Sequence, residues 1–312
     1  MQLRHRGETV FAAARGFATP RWRVPNTIET RFDTASITKL FTSVAVLQLV
    51  AAGKLDLDAS IHDHVALAGT TISPRVTLRH LLTHTSGISD DADEEAGEDY
   101  ARLFVDRPCY AITSTADFLP QFAQKPPHAP PGVACRYCNV GYVLAGLAIE
   151  AVSGRSYRAQ VTAEVFHRAG MTRAGFFDRR DAEPDVAEGW DRQDDGRWQA
   201  NIFSYPPIGS PDGGAQATTG DLLAFLDALR SDNLLPADLR AQFFSPQVRH
   251  TSGVWFGFGL EFDDACYGKD GLNAGTSGKL VHYTATGLDA VVLSNTANGA
   301  WPVVAELNRR FR

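Results

Sequence analysis

Phe32-Asp33-Thr34-Ala35-Ser36-Ile37-Thr38-Lys39 runs directly into Leu40, Val44, Leu47 and Val50. Those apolar residues share one helical stripe, so residues 36–52 are predicted to form a helix that Gly53 closes. Ser36 and Lys39 then stand three residues apart on one face of its first turn, where a hydroxyl and an amine can meet. Free backbone N–H groups at that helix start favour a developing oxyanion. A serine hydroxyl is a weak nucleophile until a neighbouring base takes its proton. Alone, the pattern equally fits a capping serine and a surface lysine. Lysine occurs only five times in the chain, at 39, 54, 125, 269 and 279, so its placement carries information.

Outward from this segment, residues 1–18 read as two short strands around a turn at Arg6-Gly7-Glu8. A short apolar helix is expected over 77–83 and a strongly apolar one over 139–153, closed by Gly154. Residues 181–200 suggest a hairpin, and 219–231 an amphipathic helix capped by Thr218 or Thr219. The last third changes character: Val254–Phe262, Lys279–Thr284 and Leu288–Asn295 read as strands, and 300–311 as a closing helix. Strands at both ends with helices between imply an α/β (α+β) fold. Its antiparallel sheet is assembled from both termini and flanked by helices. One domain over residues 1–312 is expected, with the sheet in 1–60 and 210–312 and a mainly helical part in 61–209.

The chain has 312 residues, 44% hydrophobic and 21% charged, with a net charge of −6. This is a globular balance without the basic face that nucleic acid requires. The longest apolar run, Val44 to Ala52, contains Gln48 and is too short for a membrane span. The start of the chain lacks an apolar core with a small-residue cleavage site. A cytoplasmic location is therefore expected, or a periplasmic or secreted one if the N-terminus is truncated. Cys135 and Cys138 have CxxC spacing, but no second pair or histidine cluster lies near in sequence, so buried reduced thiols are expected.

Two further triplets attract notice. Tyr137-Cys138-Asn139 follows a Pro131-Gly132 loop at the start of the 139–153 helix; a phenol can act as acid or base, and an asparagine offers both a donor and an acceptor. Lys269-Asp270-Gly271 falls between two predicted strands. There a lysine could hold a substrate carboxylate, Asp270 could pair with it and cancel that pull, and Gly271 would let a substrate backbone approach closely. Residues 90–99 hold seven acids, Asp90, Asp91, Asp93, Glu94, Glu95, Glu98 and Asp99. They read either as a solvated loop or as an overhang that disfavours anionic substrates.

The order SxxK, Tyr-x-Asn and Lys-x-Gly resembles the serine β-lactamase and penicillin-binding-protein family, in its class C-related branch of D,D-peptidases and esterases. Leu81-Leu82-Thr83-His84-Thr85-Ser86-Gly87-Ile88 is similar to the family's LLTHTSG signature. Gly213-Gly214 through Thr218-Thr219-Gly220-Asp221 resembles another of its segments. The resemblance implies Ser36 as acylated nucleophile, with Lys39 and Tyr137 sharing proton transfer. Asn139, Lys269, Gly271 and Leu272 would contact substrate, and the backbone N–H groups of Ser36 and Leu272 would form the oxyanion hole. His84 would be structural. No metal or organic cofactor is implied. The substrate would be a small-molecule or short-peptide ester, amide or β-lactam, with an esterase or D-amino-acid peptidase favoured. A true β-lactamase, a biosynthetic acyltransferase and a non-catalytic binding relative are the alternatives; the oligomeric state is not indicated.

Overall fold

A computed structural model describes residues 1–98 and 100–312, with only the backbone of Ala101. Asp99, one of the acids singled out above, lies outside the described residues. The chain opens with strands β1 (Gln2–His5) and β2 (Glu8–Ala12). Arg6 and Gly7 between them both take positive φ, as a two-residue hairpin turn matching strand twist requires. Short pairs β3 (Phe17–Thr19) with β4 (Val24–Pro25), and β5 (Phe32–Asp33) with a later strand, lead to the nucleophile segment.

A 3-10 turn over Ala35–Ile37 precedes α1 (Thr38–Ala51). This helix is buried around most of its circumference, as a helix at the centre of a domain must be. Phe41 packs edge-on against Phe166 at 5.0 Å and Phe225 at 4.9 Å. Gly53, at φ +66, ends the helix, and the N–H of Lys54 turns back to the carbonyl of Leu49.

The helical part follows as α2 (Leu78–Leu82), α3 (Leu119–Phe122), α4 (Asn139–Ser153) and α5 (Tyr157–Val161), which runs through a π turn into α6 (His167–Ala169). The expected hairpin within 181–200 is β6 (Trp190–Arg192) and β7 (Trp198–Ala200). Strand β8 (Gln216–Ala217) pairs with β5 and leads into α7 (Thr219–Arg230), which Thr218 rather than Thr219 caps through a capping box with Asp221. Then come α8 (Ala237–Phe243) and β9 (Val248–Arg249).

The expected strand 254–262 is two short ones, β10 (Trp255–Phe256) and β11 (Glu261–Phe262), because Gly257 to Leu260 turns the chain back on itself. Three long strands follow, β12 (Cys266–Asn273), β13 (Thr276–Tyr283) and β14 (Leu288–Ser294), and α9 (Trp301–Phe311) closes the chain. Lys269 thus stands inside a strand, not in a turn between strands.

Among the described residues, the main sheet has the order β2-β1-β14-β13-β12-β11-β10-β9, with every pairing antiparallel. Both chain termini therefore build one mixed α/β fold, since Leu3 pairs with Ala290 across the first and last strands. One face of the sheet packs on α1 and α7. The other carries a smaller core in which Val281, Tyr283 and Val292 meet Val304 and Leu307 of α9. No helix among the described residues is long and apolar enough to cross a membrane.

Candidate active site

Ser36 lies on the 3-10 turn between β5 and α1. Its neighbour Ala35 has φ +43, a conformation alanine rarely adopts. Two contacts hold it there: its N–H donates to Asp33 Oδ1 at 2.7 Å, and its carbonyl accepts from the N–H of Gly214 at 3.4 Å. Asp33 is itself fixed by Arg179 and by the Tyr205 hydroxyl.

Lys39, three residues on from Ser36 and second in α1, has no exposed surface. A buried ammonium must place all three donors on acceptors, and Nζ does so: Ser36 Oγ at 2.9 Å, Asn139 Oδ1 at 2.7 Å and the carbonyl of Asp212 at 2.6 Å. The same loop is tied to α1 at two further points. Thr42 donates to the carbonyl of Pro211 at 2.6 Å, and Thr38 Oγ1 accepts from the N–H of Ala215 at 3.0 Å. The loop carrying Gly213-Gly214 is therefore the surface against which the lysine is set.

Asn139 begins α4, and its position is dictated by Asp90. The Asp90 carboxylate accepts from the N–H groups of Asn139 (2.8 Å) and Val140 (2.9 Å), satisfying donors that a helix start leaves free. The Asn139 amide then donates to Glu94 Oε1 at 2.8 Å, leaving Oδ1 to face Lys39. Burial raises the pKa of Asp90, although these N–H donors pull the other way. Asp90 and Asp91 are both buried, so the acidic run is not simply a solvated loop.

Tyr137 stands between the two lysines. Its ring centroid lies 5.1 Å from Lys39 Nζ and 4.7 Å from Lys269 Nζ. Burial raises the phenol's pKa, outweighing the pull of Lys39. His84 supports it from behind: the rings stack at 4.4 Å, and His84 Nδ1 accepts from the N–H of Cys138 at 3.1 Å. Burial first, and the two lysines second, hold the His84 pKa well below the ordinary histidine value. A neutral imidazole that props another ring fits the structural role expected of it.

Lys269, on β12, is 2% exposed and its ammonium meets Glu261 Oε1 at 2.5 Å. Asp270, the expected partner, pairs with Lys279 instead, because successive side chains on a strand point to opposite faces. The place expected for a substrate backbone beside Gly271 is also taken: a Cβ there would stand 2.3 Å from the carbonyl of Thr34. Gly271 thus lets β12 close on the nucleophile turn. Leu272 is 57% exposed and lines the pocket over Ser36 together with Glu94, Asn139 and Asp212. All seven sequence-predicted residues thus fall at or around one cleft.

Asp90, Glu94, Asp212 and Glu261 were missed as site residues. The first two lay in a flagged acid run, and Asp212 adjoined the glycine pair. Glu261 carried no signal, since its partner is reached only across the β11–β12 ladder. Cys135 and Cys138 flank Tyr137 as free thiols, and no group of three or more metal-ligating side chains occurs among the described residues.

A family model described as Beta-lactamase matches residues 2–311. The chain belongs to the Beta-lactamase family. It is 30% identical to esterase EstB of Burkholderia gladioli, over 93% of this chain and 84% of that one. Penicillin-binding protein 4 of Amycolatopsis lactamdurans is 25% identical over 86% of this chain and 73% of its own. The crystal structure of a penicillin-binding protein from Bacillus halodurans superposes with a TM-score of 0.95 at 36% identity, covering 99% and 95% of the two chains. As a β-lactamase-related hydrolase, the chain has the fold that its sequence motifs implied.

Proposed function

We propose that this β-lactamase-related hydrolase cleaves esters or amides of small acyl donors through an acyl-enzyme on Ser36, with esters and D-amino-acid peptides the favoured substrates. The observation that carries the reading is the fully satisfied Lys39 ammonium, 2.9 Å from Ser36 Oγ and beneath the Tyr137 ring. Ser36 Oγ attacks the carbonyl carbon while the backbone N–H groups of Ser36 and Leu272 receive the oxyanion. The protons move in one concerted relay: the leaving alcohol or amine takes the phenol proton, Tyr137 takes a proton from Lys39, and Lys39 so relieved takes the serine proton. Lys39 and Tyr137 end as they began, and the bond to the leaving group breaks as the serine ester forms. Water then repeats the sequence in reverse and frees the acid.

Similarity to an esterase and to penicillin-binding proteins supports ester or amide chemistry. The exposed Leu272 at the cleft mouth supports an apolar group beside the scissile bond. Intact-mass measurement after incubation with a fluorophosphonate tests the reading. A single adduct is expected on the wild-type chain and none on Ser36→Ala. Absence of any adduct on the wild type overturns the proposal. A parallel incubation with a penicillin separates the substrate classes: a stable adduct marks a peptidase-like enzyme and turnover a β-lactamase. No reaction, beside rapid p-nitrophenyl ester cleavage, marks an esterase.

A further inference from the structure

A lysine at the cleft edge of β12 is the natural anchor for a substrate carboxylate, being a compact cation with three donors. Here that cation is already engaged. Glu261 reaches it across the β11–β12 ladder, where Glu261 pairs with Gly268, the residue before Lys269. The pair is internal to the fold: Lys269 is 2% exposed and the Glu261 side chain 22%. Asp270 cannot relieve it, because its carboxylate belongs to Lys279. Apart from Lys39, which is fully buried and engaged beneath Ser36, the charge that lines the pocket is acidic. Glu94 and Asp212 line the pocket with Ser36, and no lysine, arginine or histidine joins them among the described lining residues.

We propose that Glu261 is a specificity-determining residue: by holding the ammonium of Lys269 it turns the cleft away from carboxylate-bearing substrates and toward uncharged or amine-bearing acyl donors. The inference rests on the proposed hydrolase reading and names the substrate charge of that same site. Specificity of this kind works against the wrong partner, since an anion entering the cleft must displace a carboxylate already in place.

The test compares p-nitrophenyl butyrate with its anionic analogue, mono-p-nitrophenyl glutarate, on the wild type and Glu261→Gln. Wild-type kcat/KM is expected to favour the butyrate. Glu261→Gln is expected to shift the ratio toward the glutarate by about tenfold, mainly through KM, the size of one charge-assisted hydrogen bond. In a Lys269→Met background, Glu261→Gln should move the ratio by much less, since no ammonium is freed there. Glu261→Asp should restore the wild-type preference. A ratio unmoved by Glu261→Gln, or moved equally in the Lys269→Met background, overturns the inference. If Glu261→Gln does not fold, the double variant Lys269→Met/Glu261→Leu decides. It removes both charges of a pair that is already closed, so the ratio should change little, and a selective loss of the glutarate overturns the proposal. A wild type that cleaves neither ester and takes no fluorophosphonate fails the hydrolase reading instead, so the two failures are told apart.

Discussion

Tyr137 and His84 form a stack in which each ring has one duty. Burial favours the protonated phenol, which on the proposed mechanism delivers its proton to the leaving group. Tyr137→Phe is therefore expected to lower kcat by about 10²–10⁴-fold with KM little moved, the range of general acid–base catalysis. His84 makes a second prediction. Its pKa in the fold lies well below the 6.5 of an unperturbed histidine. As pH falls through 6.5 the unfolded chain takes up a proton that the folded chain refuses. The stability contributed by the neutral ring is thus present above that value and lost below it, by up to about 1.4 kcal/mol per pH unit. Asp90 has the opposite sign, its carboxyl being easier to protonate folded than unfolded. The comparison that isolates His84 is with His84→Asn, which keeps an acceptor for Cys138 and tolerates the φ of +58. Urea midpoints of the two proteins should diverge below pH 6.5 and run parallel above it.

At the scale of elements, the site depends on how α4 and β12 begin and close. Asp90 caps α4 at the residue that faces Lys39, so stability and geometry share one side chain. Asp90→Ala is expected to cost about 1–2 kcal/mol in denaturant unfolding. It should also lower kcat beyond that cost in stability, because Asn139 loses its fixed orientation. Gly271→Ala tests the other element. Its Cβ would need the space of the Thr34 carbonyl, so β12 must retreat from the nucleophile turn. Lower kcat and a lower Tm are expected together, where a mere loss of backbone freedom would raise Tm. Much of this was legible in the sequence. Helical spacing and terminal glycines placed α1 and α4, and the ordered motifs brought Ser36, Lys39, Tyr137, Asn139 and Lys269 to one cleft. The charge state of the cleft was not legible. Lys269 finds Glu261 rather than Asp270 because strand alternation sends neighbours to opposite faces, and the strand itself was hidden by Gly268 and Gly271. Those glycines lower strand propensity, yet each is required by a close backbone approach: a Cβ on Gly268 would lie 2.2 Å from the carbonyl of Leu280.

Across the whole molecule, the sheet joins the first residues to the last. Removing residues 1–14 would strip β1 and β2 from β14 and expose the backbone of a buried strand as an open edge. Such a truncation is expected to lower Tm and to shift the protein into aggregates on size-exclusion chromatography, while a monomeric, equally stable product would contradict it. The ends also meet in space, since Met1 and Phe311 pack in the same small core.

That meeting has a bearing on how the protein is made. A ribosome releases the β1–β2 hairpin well before β14, so these strands emerge long before the neighbour they need exists. Until β14 is made, β1 lacks the partner that covers its free edge. The nucleophile turn, braced by β12, lacks its support until β12 has been made. A hydrolase laid out this way assembles its cleft in one event, and a fragment that stops before β12 is expected to hydrolyse nothing.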